Sequence, residues 1–164
     1  PDLIKQANDD ILLTTLTWQT AEPAVIYHPV LVAEYPGNDL ENIDGHAERW
    51  RRHLLAIRPD LSEGSQHDIL LAVREAVLNG MLHGCSGRED KNVRLQFSFS
   101  PEKSALRIWV EDPGPGHTFD FKAYSAQAAE HLLTEHRGLV FMMNLAHELT
   151  LERQGATVIL TFLI

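Results

Sequence analysis

Cysteine is almost absent. The 164-residue chain carries one, Cys85, which cannot close an intrachain disulfide, so a reducing cytoplasm is the expected compartment. Basic residues are scarce: 14 Lys and Arg stand against 23 Asp and Glu, a formal net charge of -9. No basic tract relieves it, so nucleic acid is not an expected partner. The apolar runs are far too short to span a bilayer, and no charged-then-apolar signal peptide opens the chain. No membrane association is therefore expected. Nine histidines are present, but they form no HExxH pattern and have no paired cysteines beside them, so there is no zinc signature. Internal repeats and low-complexity stretches are also missing. The chain starts at Pro1 rather than Met, and it reads as a piece cut from a longer protein.

What is present is an ordinary globular composition, 44% hydrophobic and 23% charged, about one domain's worth of chain. Residues 1–22 are mixed polar and β-branched and read as a linker or extra N-terminal element. Val25–Ala33 is rich in Val, Ile and Tyr, which suits a strand. From Asp44, Ala47, Trp50, Leu54 and Ile57 recur at helical spacing until Pro59 stops them. Ser62 is a natural N-cap for a second helix running to about Gly84. Val93–Phe99 and Leu106–Val110 alternate around Pro101-Glu102-Lys103-Ser104, a hairpin with one buried face. Residues 113–137 are long and weakly patterned, with a short helix expected near Ser125–Leu133. Gly138 opens an apolar helix to about His147, and a hairpin of Leu149–Arg153 and Thr157–Ile164 closes the chain. This order predicts an α+β two-layer sandwich: a mixed, mostly antiparallel sheet with helices on one face.

Three constellations carry chemistry. On the second helix, Glu75, Asn79 and His83 fall on one stripe at 100° per residue. Ile69, Val73, Ala76 and Val77 border it on one side, and Leu71, Leu78 and Leu82 on the other. A solvated face usually carries long Lys and Glu pairs. Here a carboxylate and an amide stand one turn apart, which suits a hard cation such as magnesium or a general base. Second, an alternating strand ends at Asp112, followed by Pro113-Gly114-Pro115-Gly116. This lacks the Lys-Ser of a P-loop and the third glycine of a dinucleotide fingerprint. A carboxylate there can instead accept a hydrogen bond from an exocyclic amine such as that of adenine, while the glycines let the backbone approach a ring. Third, Arg137-Gly138 begins an apolar helix, where free N–H groups and the helix dipole make a candidate phosphate site.

In this order the three pieces resemble the GHKL ATPase superfamily with its Bergerat fold, and more closely the anti-sigma-factor serine kinases of bacterial partner-switching systems. Glu75-Ala76-Val77-Leu78-Asn79 with His83-Gly84 is similar to that family's N-box. Asp112-Pro113-Gly114-Pro115-Gly116 is similar to its DxGxG box, and Arg137-Gly138-Leu139 through Leu149 to its later glycine box and helix. The resemblance covers residues 23–164, read as the ATPase domain. It implies ATP and Mg2+ as cofactors. Asn79 would hold the magnesium, Glu75 would be the catalytic base, and Asp112 would bind the adenine amine. Gly114 and Gly116 would shape the adenine pocket, and His83, Arg137 and Gly138 would complete the nucleotide site. The loop from His117 to Arg137 would be the lid. Sensor histidine kinases, which share the fold, carry an amide where Glu75 stands, so the carboxylate favours a hydroxyl or water acceptor.

The implied activity is a protein serine/threonine kinase that phosphorylates and binds an anti-anti-sigma (STAS) domain; a sigma-like factor is the other implied partner. A homodimer and membership of a multidomain regulator remain open. Two departures from the family pattern motivate an alternative, a partner-sequestering module without phosphotransfer. His136 stands where the first glycine of the later glycine box is usual, and Ala156 follows Gly155 where threonine is usual. Strand alternation points Thr157 to the other face, so it does not replace that threonine.

Overall fold

The computed structural model describes residues 25–116 and 137–164. The readings of residues 1–22, of a helix near Ser125–Leu133, of a lid from His117 onward and of His136 lie outside the described residues.

The first strand, β1 (His28–Pro36), starts three residues later than the Val25 expected from composition. A 3₁₀ turn at Asp39–Asn42 leads into α1 (Ile43–Ile57). On α1, Trp50 and Leu54 are fully buried, with Ala47 and Ile57 packed beside them, so the predicted stripe is the inward face. A fully buried side chain of this size contributes about 1.5–3 kcal/mol, which is what fastens a helix this rich in arginine. Pro59 ends it, and the Ser62 hydroxyl accepts from the Ser65 N–H to cap α2 (Glu63–Asn79).

The helical stretch does not run unbroken to Gly84. At Gly80 it widens into a π turn, Gly80–Gly84. The extra residue per turn shifts everything after Asn79 around the axis. Leu82, expected on an apolar border, is consequently exposed.

The hairpin of β2 (Asn92–Ser100) and β3 (Ala105–Glu111) turns at Pro101–Ser104 as expected. Arg137–Leu145 forms α3, and β4 (Glu148–Glu152) and β5 (Thr157–Leu163) close the chain. The sheet order is β1-β2-β3-β5-β4. Every pairing among the described strands is antiparallel, a correction to the mixed, mostly antiparallel sheet expected from the element order. The edge strand β1 accommodates Pro29, which has no N–H for the ladder, and the register slips there in a bulge.

The core lies between one sheet face and the helices. Val93, Leu95 and Phe97 of β2, Leu106, Ile108 and Val110 of β3, and Val158, Leu160 and Phe162 of β5 meet Ile69, Val73 and Val77 of α2 and Met142 of α3. This is the expected two-layer α+β sandwich. Its consequence for function is positional: the end of β3, the π turn after α2 and the start of α3 converge.

Candidate nucleotide site

A cavity of about 300 Å³ opens at that convergence. Asn79, Gly80, His83 and Gly84 line it from the end of α2 and the π turn, Asp112, Gly114, Pro115 and Gly116 from the end of β3, and Gly138, Leu139 and Met142 from α3. Ala76, Val110 and Val158 supply apolar wall, and Gly155 closes the β4–β5 side. A mostly apolar hollow with a few convergent polar groups is the usual form of a small-molecule site.

Asp112 sits at one end. Its N–H donates to the Ala156 carbonyl at 2.9 Å, which extends the β3–β5 ladder by one rung. Its carboxylate Oδ1 accepts from the Gly114 N–H at 2.8 Å, so the Pro113-Gly114 turn folds back over it. Burial pushes its carboxyl above the usual carboxylate range, while the Gly114 N–H and the charges of His83 and Lys91 pull the other way. The glycines here are required by contact. A Cβ on Gly84 would overlap the Asp112 carboxyl, and one on Gly114 would come within 2.7 Å of Gly84 Cα. The sequence marks Gly84 as a helix terminator and as part of the N-box resemblance; the π turn that presses it under Asp112 leaves no signal in hydrophobic spacing.

Glu75 and Asn79 are half-buried and lie against the first turn of α3. A Cβ on Gly138 would overlap Glu75 Oε1 and come within 2.7 Å of Asn79 Nδ2. The carboxylate and the amide thus face the N-terminus of α3, where backbone N–H groups have no intrahelical partner.

Most of the predicted site residues come together. Asn79, His83, Asp112, Gly114, Gly116 and Gly138 line the cavity. Glu75 borders it through its contact with Gly138 rather than lining it. Arg137 does not line it and is exposed at the start of α3. His83 reaches the cavity from the π turn, not from the α-helical stripe that the sequence implied. Gly155, Val158 and Met142 were not singled out beforehand; only Gly155 left a trace, as the turn glycine of the closing hairpin. Ala156 is buried but does not line the cavity, and Thr157 pairs with Glu111 and Glu152, buried with no partner for its hydroxyl among the described residues. No group of three or more His, Cys, Asp or Glu side chains suited to a metal occurs among the described residues. Also among these residues, no helix is long and apolar enough to cross a membrane.

A comparison with curated proteins found no match. A family model described as a histidine kinase-like ATPase domain matches residues 39–162. Because that match runs from the 3₁₀ turn before α1 almost to the end of β5, the chain belongs to the histidine kinase-like ATPase domain family.

Proposed function

We propose that the domain binds Mg-ATP in this cavity and transfers the γ-phosphoryl group to a serine or threonine hydroxyl on a STAS-domain partner, as an anti-sigma-factor kinase does. The observation that carries this reading is the contact of Glu75 and Asn79 with Gly138, beside a cavity that Asn79, Gly138 and Asp112 line together. The donor set fits such a ligand. Asp112 offers a partly desolvated acceptor for an exocyclic amine, the apolar walls suit a base, and the start of α3 suits phosphates. Magnesium is commonly held by one or two carboxylates together with substrate phosphates; here Asn79 would offer an amide oxygen in that role. The bound ion would neutralise charge on the phosphates.

The chain's own part in transfer is positioning and one proton. Backbone N–H groups at Gly138 and Leu139 would orient the phosphates. Glu75 would accept the hydroxyl proton as the hydroxyl oxygen bonds to the γ-phosphorus and the bond to ADP breaks. A carboxylate can take that proton where an amide cannot, so Glu75 favours a hydroxyl acceptor.

Labelled ATP and candidate STAS proteins from the same genome test this directly. Label on a serine or threonine with the native domain, and none with Glu75→Ala, is the expected result. Undiminished transfer by the variant would remove Glu75 from the base role.

A second reading, a module that only sequesters its partner, draws on Ala156, a residue with no hydroxyl, and on Thr157, whose side chain lies outside the cavity lining. Thermal unfolding with and without Mg-ATP separates the two. Binding at a hundred times the dissociation constant adds about 2.7 kcal/mol, and no shift at millimolar ATP favours the module.

A further inference from the structure

The turn joining β4 to β5 is unusual in its backbone. Arg153, Gln154 and Gly155 have φ of 50°, 58° and 87° in succession, and only the third is glycine. The Ala156 N–H donates to the Arg153 carbonyl at 3.2 Å and closes the turn. A turn with two central residues at positive φ favours Asn-Gly or Gly-Gly. Left-handed Arg and Gln persist only where surrounding contacts offset the cost.

The contacts that do so lie on the sheet face away from the cavity. The Arg153 guanidinium pairs with Glu111, the last residue of β3. Glu111 is also approached by Arg94 at 3.8 Å, and Arg94 pairs with Glu34 at 3.1 Å. Glu34, Arg94 and Glu111 are direct cross-strand partners on β1, β2 and β3. An isolated exposed pair would be worth little. Glu111, however, is only 19% exposed and shared by two guanidinium groups, so Arg153 is the last member of a network that crosses the sheet.

On the cavity side the same turn sets two walls. Gly155 lines the cavity, and a Cβ on Gly116 would overlap the Gln154 carbonyl, so the turn backbone and the Gly114–Gly116 loop are in direct contact. The Ala156 carbonyl accepts the Asp112 N–H. Whatever holds this turn therefore holds the end of the cavity where Asp112 sits.

We propose that Arg153, paired with Glu111, is a positioning residue that clamps the strained β4–β5 turn and so shapes the base end of the nucleotide cavity, without itself touching ligand. This rests on the nucleotide reading above. Calorimetric titration of the domain with ATP and with adenosine tests it. Arg153→Ala is expected to bind both ligands about tenfold more weakly, by equal factors, because the base end is common to both. Arg153→Lys is expected to keep most of the affinity. Adding Gln154→Asn to Arg153→Ala is expected to recover it, since Asn-Gly favours the turn locally. Thermal unfolding of each variant confirms that it is folded. Arg153→Ala binding within twofold of native, a loss confined to ATP, or no recovery in the double variant would each overturn the clamp. A native domain that binds neither ligand would instead overturn the nucleotide reading on which the clamp depends.

Discussion

The Cα of Gly84 lies directly against the carboxyl group of Asp112, so closely that a Cβ on Gly84 would overlap Cγ and Oδ1. The π turn makes this approach possible by carrying the end of the α2 stretch inward under the end of β3. Asp112 cannot yield easily, because its Oδ1 is held by the Gly114 N–H and its own N–H by Ala156.

Gly84→Ala should therefore be harmful although alanine is the better helix former. The φ at Gly84 is not positive, so alanine costs nothing in backbone conformation. The overlap decides the sign. Overpacking of this kind costs about 1–3 kcal/mol, and here the displaced group is the proposed adenine acceptor. Urea unfolding should show that loss, and an ATP titration should show affinity falling more than tenfold.

Asp112→Asn should separate stability from binding. Burial raises the Asp112 carboxyl above its ordinary value, so the folded chain holds that proton more tightly than the unfolded chain does. Asp112 then costs stability as pH rises from the ordinary carboxylate range through its raised value, and the cost persists above it. Asparagine removes the charge but keeps an oxygen for the Gly114 N–H. The variant should be at least as stable as native at neutral pH and should lose that part of the pH dependence, read by urea midpoints from acid to neutral pH. Its ATP affinity should fall by about tenfold or more, since a bond to a charged acceptor contributes about 1.5–3 kcal/mol.

Much of this arrangement was legible beforehand, for a physical reason. Glu75 and Asn79 are four residues apart inside regular helix, and regular helix fixes their common direction. Asp112 ends an alternating strand, and Val110 in the core confirms that alternation. His83 and Gly84 were less legible because one π turn breaks the 3.6-residue period without any Pro to mark it. Gln154 was hidden for another reason: its role comes from a contact with Gly116 that is remote in sequence and made by its backbone carbonyl. The outer ladder of Glu34, Arg94 and Glu111 was equally hidden, since its members meet only once the strand registers are known.

Asn79→Ala should divide the ligand into its parts. The amide lies against Gly138 in the first turn of α3, the turn proposed to hold the phosphates. Magnesium-dependent affinity for ATP should drop, while affinity for adenosine stays within about twofold, a difference under 0.5 kcal/mol. Equal calorimetric losses for both ligands would place Asn79 in the support of the whole cavity rather than at the phosphates.

Tyr35→Phe should act on stability alone. The Trp50 indole Nε1–H donates to the Tyr35 hydroxyl at 2.7 Å, and both side chains are buried. The His46 ring packs on the Tyr35 ring, with centroids 4.3 Å apart, and bonds to Asp39 at 2.7 Å, so this cluster joins α1 to the end of β1 and the 3₁₀ turn. Phenylalanine keeps the ring but leaves the indole N–H without its acceptor. An unsatisfied buried donor costs about 1–3 kcal/mol, and the urea midpoint should move down accordingly. None of these residues lines the cavity, so ATP affinity measured well below the unfolding transition should be unchanged. A loss of affinity on the scale of the stability loss would mean that the seating of α1 and the shape of the nucleotide cavity are coupled through α2.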